Sequence, residues 1–182
     1  RQVLDFFLLA GDDIYDDLIG TSVVRLYERL NHWLKSNWKF QARKNISYHY
    51  DLGNQFYREW LDKTMTYSSA LFKNKKEVLS SAQTNKYESI CKNLNLKEGD
   101  SVLEIGCGWG GFAEHAIKTR GVKLTGLTLS KEQLDYSKKR MFELGMADKS
   151  SFLLQDYRDE KGVYDGVVSI EMFEAVGEKY WP

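Results

Sequence analysis

Cysteine is scarce. Cys91 and Cys107 form neither a disulfide framework nor a zinc-ligand spacing, and their small number fits a reducing, cytoplasmic setting. Long hydrophobic runs are missing, since nothing approaches the roughly 20 apolar residues of a membrane span. DFFLLAG at 5–11 is a short apolar patch without a signal peptide's basic start and long apolar middle. Neither charge sign is in excess: 26 Lys plus Arg balance 26 Asp plus Glu, so bulk charge points to no particular partner. Histidine is sparse and scattered; His32, His49 and His115 have no partners at ligand spacing, so no metal site is expected. What remains is an ordinary globular composition, 42% hydrophobic and 29% charged, long enough for one compact domain with an appendage.

The balance conceals a local bias. Between Arg25 and Tyr50 six basic residues (Arg25, Arg29, Lys35, Lys39, Arg43, Lys44) face only Glu28, for a net charge of +5. Tyr27, Trp33, Trp38, Phe40, Tyr48 and Tyr50 are interleaved with them. Three readings fit: contact with an anionic membrane surface, less often with single-stranded nucleic acid, or a solvated basic helix with one core-facing stripe.

Periodicity divides the chain. Residues 12–35 read as a helix, with Leu18, Val23, Leu26, Leu30 and Leu34 at near-helical spacing, and KSNWKFQARKNIS reads as a connector. GNQFYREWL suggests a helix, and 77–95 is a long amphipathic one, ended by the turn KEGD at 97–100. The character then changes. SVLEIG, VKLTGLTLS, SFLLQD and YDGVVSIEMF read as strands, and GGFAEHAIKTR and KEQLDYSKKRMFELG as helices, the second closed by Gly145. Alternation of this kind predicts an α/β fold with a parallel sheet, although the third and fourth strands stand too close for a full helix between them. The expected organisation is a helical segment over 1–96 and the first part of a ligand-binding α/β domain over 97–182. A doubly wound sheet continues past four strands, so the chain reads as the first part of a larger enzyme.

Chemistry concentrates in the turn after the first strand, Gly106-Cys107-Gly108-Trp109-Gly110-Gly111. Glycines there let the backbone turn tightly and approach a ligand, and the next helix directs unpaired N–H groups at it. No Gly-Lys-Ser/Thr follows, which excludes a P-loop. Gly106, Gly108 and Gly111 match the dinucleotide pattern, but the second strand ends in Leu127-Thr128-Leu129-Ser130 without the acid that would hold a ribose. Glu104, Gly106, Gly108 and Gly110 also match the first motif of S-adenosylmethionine-dependent methyltransferases, and this reading is favoured. Trp109 is too bulky for a phosphate loop. Glu104 can order the turn and favour a cationic ligand, and Asp156 ends the third strand where that fold contacts adenine. Cys107 reads as a small packing residue rather than a reactive thiol.

Six segments in order sharpen the resemblance: YHYDLGNQFYREWLD, MTYSSALF, LEIGCGWGGFA, LTLSKEQ, LLQDYRD and SIEMFEAVG. Together they resemble the cyclopropane-fatty-acyl-phospholipid synthase and mycolic acid cyclopropane synthase family, from about residue 45 onward. The resemblance implies a Rossmann-like class I methyltransferase sheet, its first part over 97–182 binding S-adenosylmethionine, preceded by the helical segment 1–96 as lid and lipid-contact region. It implies transfer of the sulfonium methyl to a cis double bond of a phospholipid acyl chain, then proton loss and ring closure. An apolar tunnel, aromatic faces and a sheltered base suit such chemistry, and the family's base is thought to be a bound bicarbonate. On the same resemblance Tyr67, Ser68, the loop Gly106 to Gly110, Thr128, Leu129 and Gln133 contact the donor, Gln133 reaching the ribose, and Tyr157 lies near the adenine. Glu174 and Ser69 are the expected catalytic pair around bicarbonate. Ser69 stands where most relatives have cysteine, and Ala175 where histidine is common, so a methyl- or methylene-branching activity is the alternative. A non-catalytic lipid-binding relative is a further one. The acyl substrate implies peripheral membrane contact. Ile170-Glu171-Met172-Phe173 lacks the Pro-Pro-Tyr/Trp type of site that an amide-base nucleic-acid methyltransferase would need. Oligomer formation is left open.

Overall fold

The computed structural model describes residues 53–172, all within one compact unit. The 12–35 helix, the connector, the basic aromatic stretch of 25–50, His32, His49 and Glu174 lie outside the described residues.

Four parallel strands, β1 Ser101–Ile105, β2 Lys123–Thr128, β3 Ser150–Leu154 and β4 Gly166–Ser169, lie in the order β3-β2-β1-β4. Helices α1 Gly53–Arg58 and α2 Leu79–Asn93 precede the sheet, while α3 Gly111–Arg120 and α4 Lys131–Glu143 alternate with its strands. The expected alternation is therefore present. The β3–β4 connection holds only a 3-10 turn, Tyr157–Asp159. Chain order reverses at β1, from which the sheet grows first through β2 and β3 and then, on the other side, through β4. In open sheets ligands bind beyond the carboxyl ends of strands at such a reversal.

The pleat explains where the core sits. Val102, Leu124, Phe152 and Val168 point to one face and pack with Tyr87 and Cys91 of α2, Phe112, Ala116 and Ile117 of α3, and Leu134 and Met141 of α4. On the opposite face Leu153 and Val167 are exposed. Gly126 is a packing glycine, because a Cβ there would lie 2.7 Å from the Phe152 ring. Helix ends follow local rules. The Ser130 hydroxyl accepts from the Gln133 N–H at the start of α4, and Gly145 follows that helix with φ +67°, the left-handed turn glycine favours. Among the described residues no helix is long and apolar enough to cross a membrane.

Candidate functional site

The site is built around the turn between β1 and α3. Gly106, Gly108 and Gly110 take φ values of +79°, +53° and +77°, so the turn needs the left-handed freedom its glycines provide. Its first two amides, of Gly106 and Cys107, donate to the Leu127 carbonyl at 3.0 and 2.9 Å, pinning the turn to the end of β2. A Cβ on Gly108 would meet nothing within 4 Å, so the turn is open on that side. At Gly111 a Cβ would stand 2.6 Å from the Tyr87 hydroxyl, which lets α2 approach closely. Gly111 therefore serves packing.

Glu104 is buried in β1 between Gly126 and Val168 of the neighbouring strands. Its Oε2 has no hydrogen-bond partner. Burial pushes its carboxyl well above the ordinary range, against a partial opposing pull from the Arg140 charge. A buried acceptor of this kind beside an open turn fits a ligand carrying a cationic group. Cys107 is buried too, and its thiol is pushed well up by burial and then by Glu104, so it stays protonated.

Trp109 turns its indole away from the turn into a second cluster with Tyr57 and Met65, flanked by Leu61 and Tyr136. Its Nε1 donates to Asn54 Oδ1 at 2.6 Å, and Asn54 Nδ2 donates to Glu132 Oε2 at 3.2 Å. Residues 53–67 are thereby fastened across the turn and the first turn of α4. Trp109 contributes backbone to the site and side chain to the clamp. At the end of β2, Thr128 Oγ1 donates to Gln133 Oε1 at 2.9 Å and accepts from the Ser130 N–H at 3.1 Å. The Gln133 amide nitrogen has no hydrogen bond among the described residues. Leu129 lies half-buried between them. After β3, both Asp156 carboxylate oxygens are engaged by Arg158, whose guanidinium also stands 5.8 Å from the Tyr157 ring centroid.

Tyr67 is part of an aromatic group, 5.2 Å from Trp60 and 5.8 Å from Tyr57 between ring centroids, with Phe56, Trp60 and Tyr67 exposed. The next residues are held from two sides. Gln83 Nε2 donates to the Ser68 carbonyl at 2.8 Å, and Lys86 Nζ donates to the Ser68 hydroxyl and, at 2.8 Å, to the Ser69 carbonyl. Burial lowers the Lys86 ammonium to about 8, against opposing pulls from Glu171 and Asp62. The Ser69 N–H donates to Glu171 Oε1 at 2.8 Å, and the Ser69 hydroxyl donates to the same oxygen.

Sequence reasoning missed three residues. Arg140 pairs with Glu114 at 2.6 Å and donates to the Thr64 and Trp109 carbonyls at 3.0 and 3.1 Å. Lys86 reads as one of many helix lysines. Glu171 stood inside the SIEMFEAVG segment, and an acid three residues before Glu174 was the available signal. The structure gathers Tyr67, Ser68, Ser69, Glu104 and Gly106 to Gly110 at the strand ends near β1, with Thr128, Leu129 and Gln133 after β2 and Asp156 and Tyr157 after β3.

Residues 37–182 match the family model described as mycolic acid cyclopropane synthetase. The chain is 46% identical over 145 residues to a probable fatty acid methyltransferase of Pseudomonas putida, covering 79% of this chain and 37% of that one. It is 44% identical over 131 residues to the cyclopropane-fatty-acyl-phospholipid synthase of Escherichia coli K12, covering 72% and 33%. A crystal structure of mycolic acid cyclopropane synthase CmaA1 complexed with SAH and CTAB superposes with a TM-score of 0.72 at 34% identity, over 75% of this chain and 48% of that one. The chain thus spans 37% and 33% of the length of the two curated relatives.

Proposed function

Because this chain belongs to the mycolic acid cyclopropane synthetase family and has its Rossmann-like methyltransferase fold, we propose that it is the donor-binding portion of an S-adenosylmethionine-dependent enzyme acting on unsaturated phospholipid acyl chains. The expected product is a cyclopropane ring at the cis double bond. The observation that carries the donor reading is Glu104, a buried carboxyl whose Oε2 has no hydrogen-bond partner, two residues before an open glycine turn.

The donor, when bound, supplies an electrophilic methyl on a sulfonium. The chain's own residues bind and orient. Backbone of Gly106 to Gly110 lies against the amino-acid part, and Glu104 offers its buried acceptor Oε2 to the ammonium. The Gln133 amide nitrogen reaches the ribose, its carbonyl fixed by Thr128. Asp156 and Tyr157 border the adenine, with Arg158 sharing the Asp156 carboxylate. Tyr67 and Ser68 close over the donor from the segment clamped by Trp109. The exposed rings of Phe56, Trp60 and Tyr67 offer π faces to the cationic carbon that forms on the acyl chain. Acyl chains reside in bilayers, so contact with the membrane surface follows, through the basic stretch before Tyr50. A second reading is a branching fatty-acyl methyltransferase; the Pseudomonas relative is named a probable fatty acid methyltransferase, without mention of a ring. Bicarbonate, the base implied by the resemblance, does not fit at Ser69, whose N–H and hydroxyl are both engaged by Glu171.

The test is to incubate the intact gene product with methyl-labelled S-adenosylmethionine and cis-unsaturated phospholipid vesicles, and to analyse the acyl chains by mass spectrometry. One labelled carbon with loss of the double bond and no added reductant is the expected result. A labelled chain that keeps a double bond would establish branching. Lipid without label, under conditions where the donor binds, would remove the acyl-chain reading.

A further inference from the structure

We infer that Glu171 is the built-in base of this site, occupying with its own carboxylate the anion position at Ser69 that a free bicarbonate would otherwise take. The inference rests on the acyl-chain methyl-transfer reading above, and deepens it.

Three observations place Glu171 there. First, the Ser69 amide and hydroxyl converge on a single oxygen, Oε1. Two donors aimed at one point form an anion seat, and charge-assisted bonds of this kind are the stronger ones. Oε2 has no partner among the described residues, so it is available to receive a proton. Second, Glu171 reaches the seat through a left-handed backbone, φ +51°, which is uncommon for a residue with a Cβ. Strained residues of this type cluster where geometry matters to function. Third, the neighbouring Met172 packs against the glycine turn, its Cβ and Cγ each 3.3 Å from where a Gly106 Cβ would stand. Glu171 therefore lies between the Tyr67–Ser69 segment and the donor turn, at the reversal point of the sheet.

Lys86 completes the arrangement. It holds the Ser68 hydroxyl and Ser69 carbonyl and acts on Glu171 by charge. The seat is thus set by α2 on one side and by the segment after β4 on the other.

The chemistry balances with the sulfonium methyl donor as the sole co-reactant. The alkene's π pair forms a C–C bond to the donor methyl as the C–S bond breaks, leaving neutral S-adenosylhomocysteine and a cationic acyl carbon. Oε2 of Glu171 then takes a proton from the delivered carbon. The released C–H pair closes onto the cationic carbon as the third ring bond. Glu171 is left protonated and returns the proton to water. If the cation first migrates by a hydride shift, the same proton removal gives a methylene branch, so the role of Glu171 is common to both products.

The experiment uses the intact gene product with labelled donor and cis-unsaturated phospholipid vesicles, in carbonate-free buffer under argon and with bicarbonate restored. Wild-type turnover is expected to be the same in both buffers within about twofold, and Glu171→Gln to fall by about 100-fold or more with donor affinity retained. Glu171→Gly, which relieves the backbone and opens the seat, is expected to recover activity only when bicarbonate is added. Carbon-13 NMR of labelled bicarbonate reads the seat without turnover: broadening with Glu171→Gly and none with wild type. Wild-type activity that collapses without bicarbonate, or a Glu171→Gln variant within about twofold of wild type, would overturn the inference. Absence of label in lipid with the wild type, in both buffers, would overturn the methyl-transfer reading and the base role with it. The NMR result would still decide who fills the seat.

Discussion

At the scale of single residues, two carboxylates divide the work by environment. Glu171 is exposed and held by two donors, whereas Glu104 is buried with one oxygen unpartnered. A buried carboxyl raised above its ordinary value weakens the fold as pH rises, because the unfolded chain ionises first and the folded one retains the proton. That penalty begins above the unfolded value and grows until the folded group ionises as well. Glu104 is therefore a cost to the unliganded protein that a cationic ligand would offset. Glu104→Gln should leave the free protein as stable as wild type or more so at neutral pH, read by thermal melting. The same variant should bind S-adenosylmethionine about 10-fold or more weakly by calorimetry, a loss of about 1.4 kcal/mol. Equal affinity in the two proteins would remove Glu104 from the donor site. Glu104 was legible in sequence because it is two residues from the first turn glycine. The partnership of Ser69 with Glu171 was not, since 102 residues separate them and only the fold brings them together.

At the scale of elements, strands and helices from 101 onward follow from the apolar pattern, because each strand carries a buried face and each helix an apolar stripe toward one core. The 3-10 turn at Tyr157–Asp159 shows why the short β3–β4 connection could not be assigned a helix. What periodicity could not give is how α2 is held to α3. Glu88 does this, accepting from Arg120 Nη2 at 2.6 Å and standing 3.3 Å from His115 and 3.4 Å from Lys92. Its carboxyl is lowered to about 2, chiefly by the Arg120 hydrogen bond. A depressed carboxylate stabilises fully above its unfolded value of 4.5 and loses that contribution as pH falls through about 2. Glu88→Gln should therefore destabilise at neutral pH by about 0.5–1 kcal/mol, a value kept small by solvent screening. The difference from wild type should shrink between the unfolded and folded values and also in high salt. Denaturant titrations across that acid range check it; a difference that persists at the lowest pH would assign the loss to packing instead of charge.

At the scale of the whole molecule, the site exists only where three separate pieces of chain meet, and Arg140 is the side chain that ties them. From α4 it grips Glu114 on α3 with Nε and Nη2, at 2.7 and 2.6 Å. Through Nη1 it reaches the Thr64 carbonyl in the segment that leads to Tyr67 and Ser69, and the Trp109 carbonyl in the glycine turn. A planar fork with five donors can satisfy a carboxylate and two carbonyls at once, and an ammonium on a flexible stem cannot. The distinction between geometry and charge is therefore open to measurement. Arg140→Met would leave Glu114 and two carbonyls without their partner and should cost about 2–4 kcal/mol. Arg140→Lys keeps the charge and should still lose more than about half of that. Both should weaken S-adenosylhomocysteine binding although Arg140 is not placed against the donor, since the turn and the Tyr67 segment would no longer share an anchor. Denaturant unfolding together with calorimetry reads the two effects separately. A lysine variant matching wild type in both would show that charge alone joins the pieces, whereas loss of stability with binding unchanged would confine Arg140 to the fold.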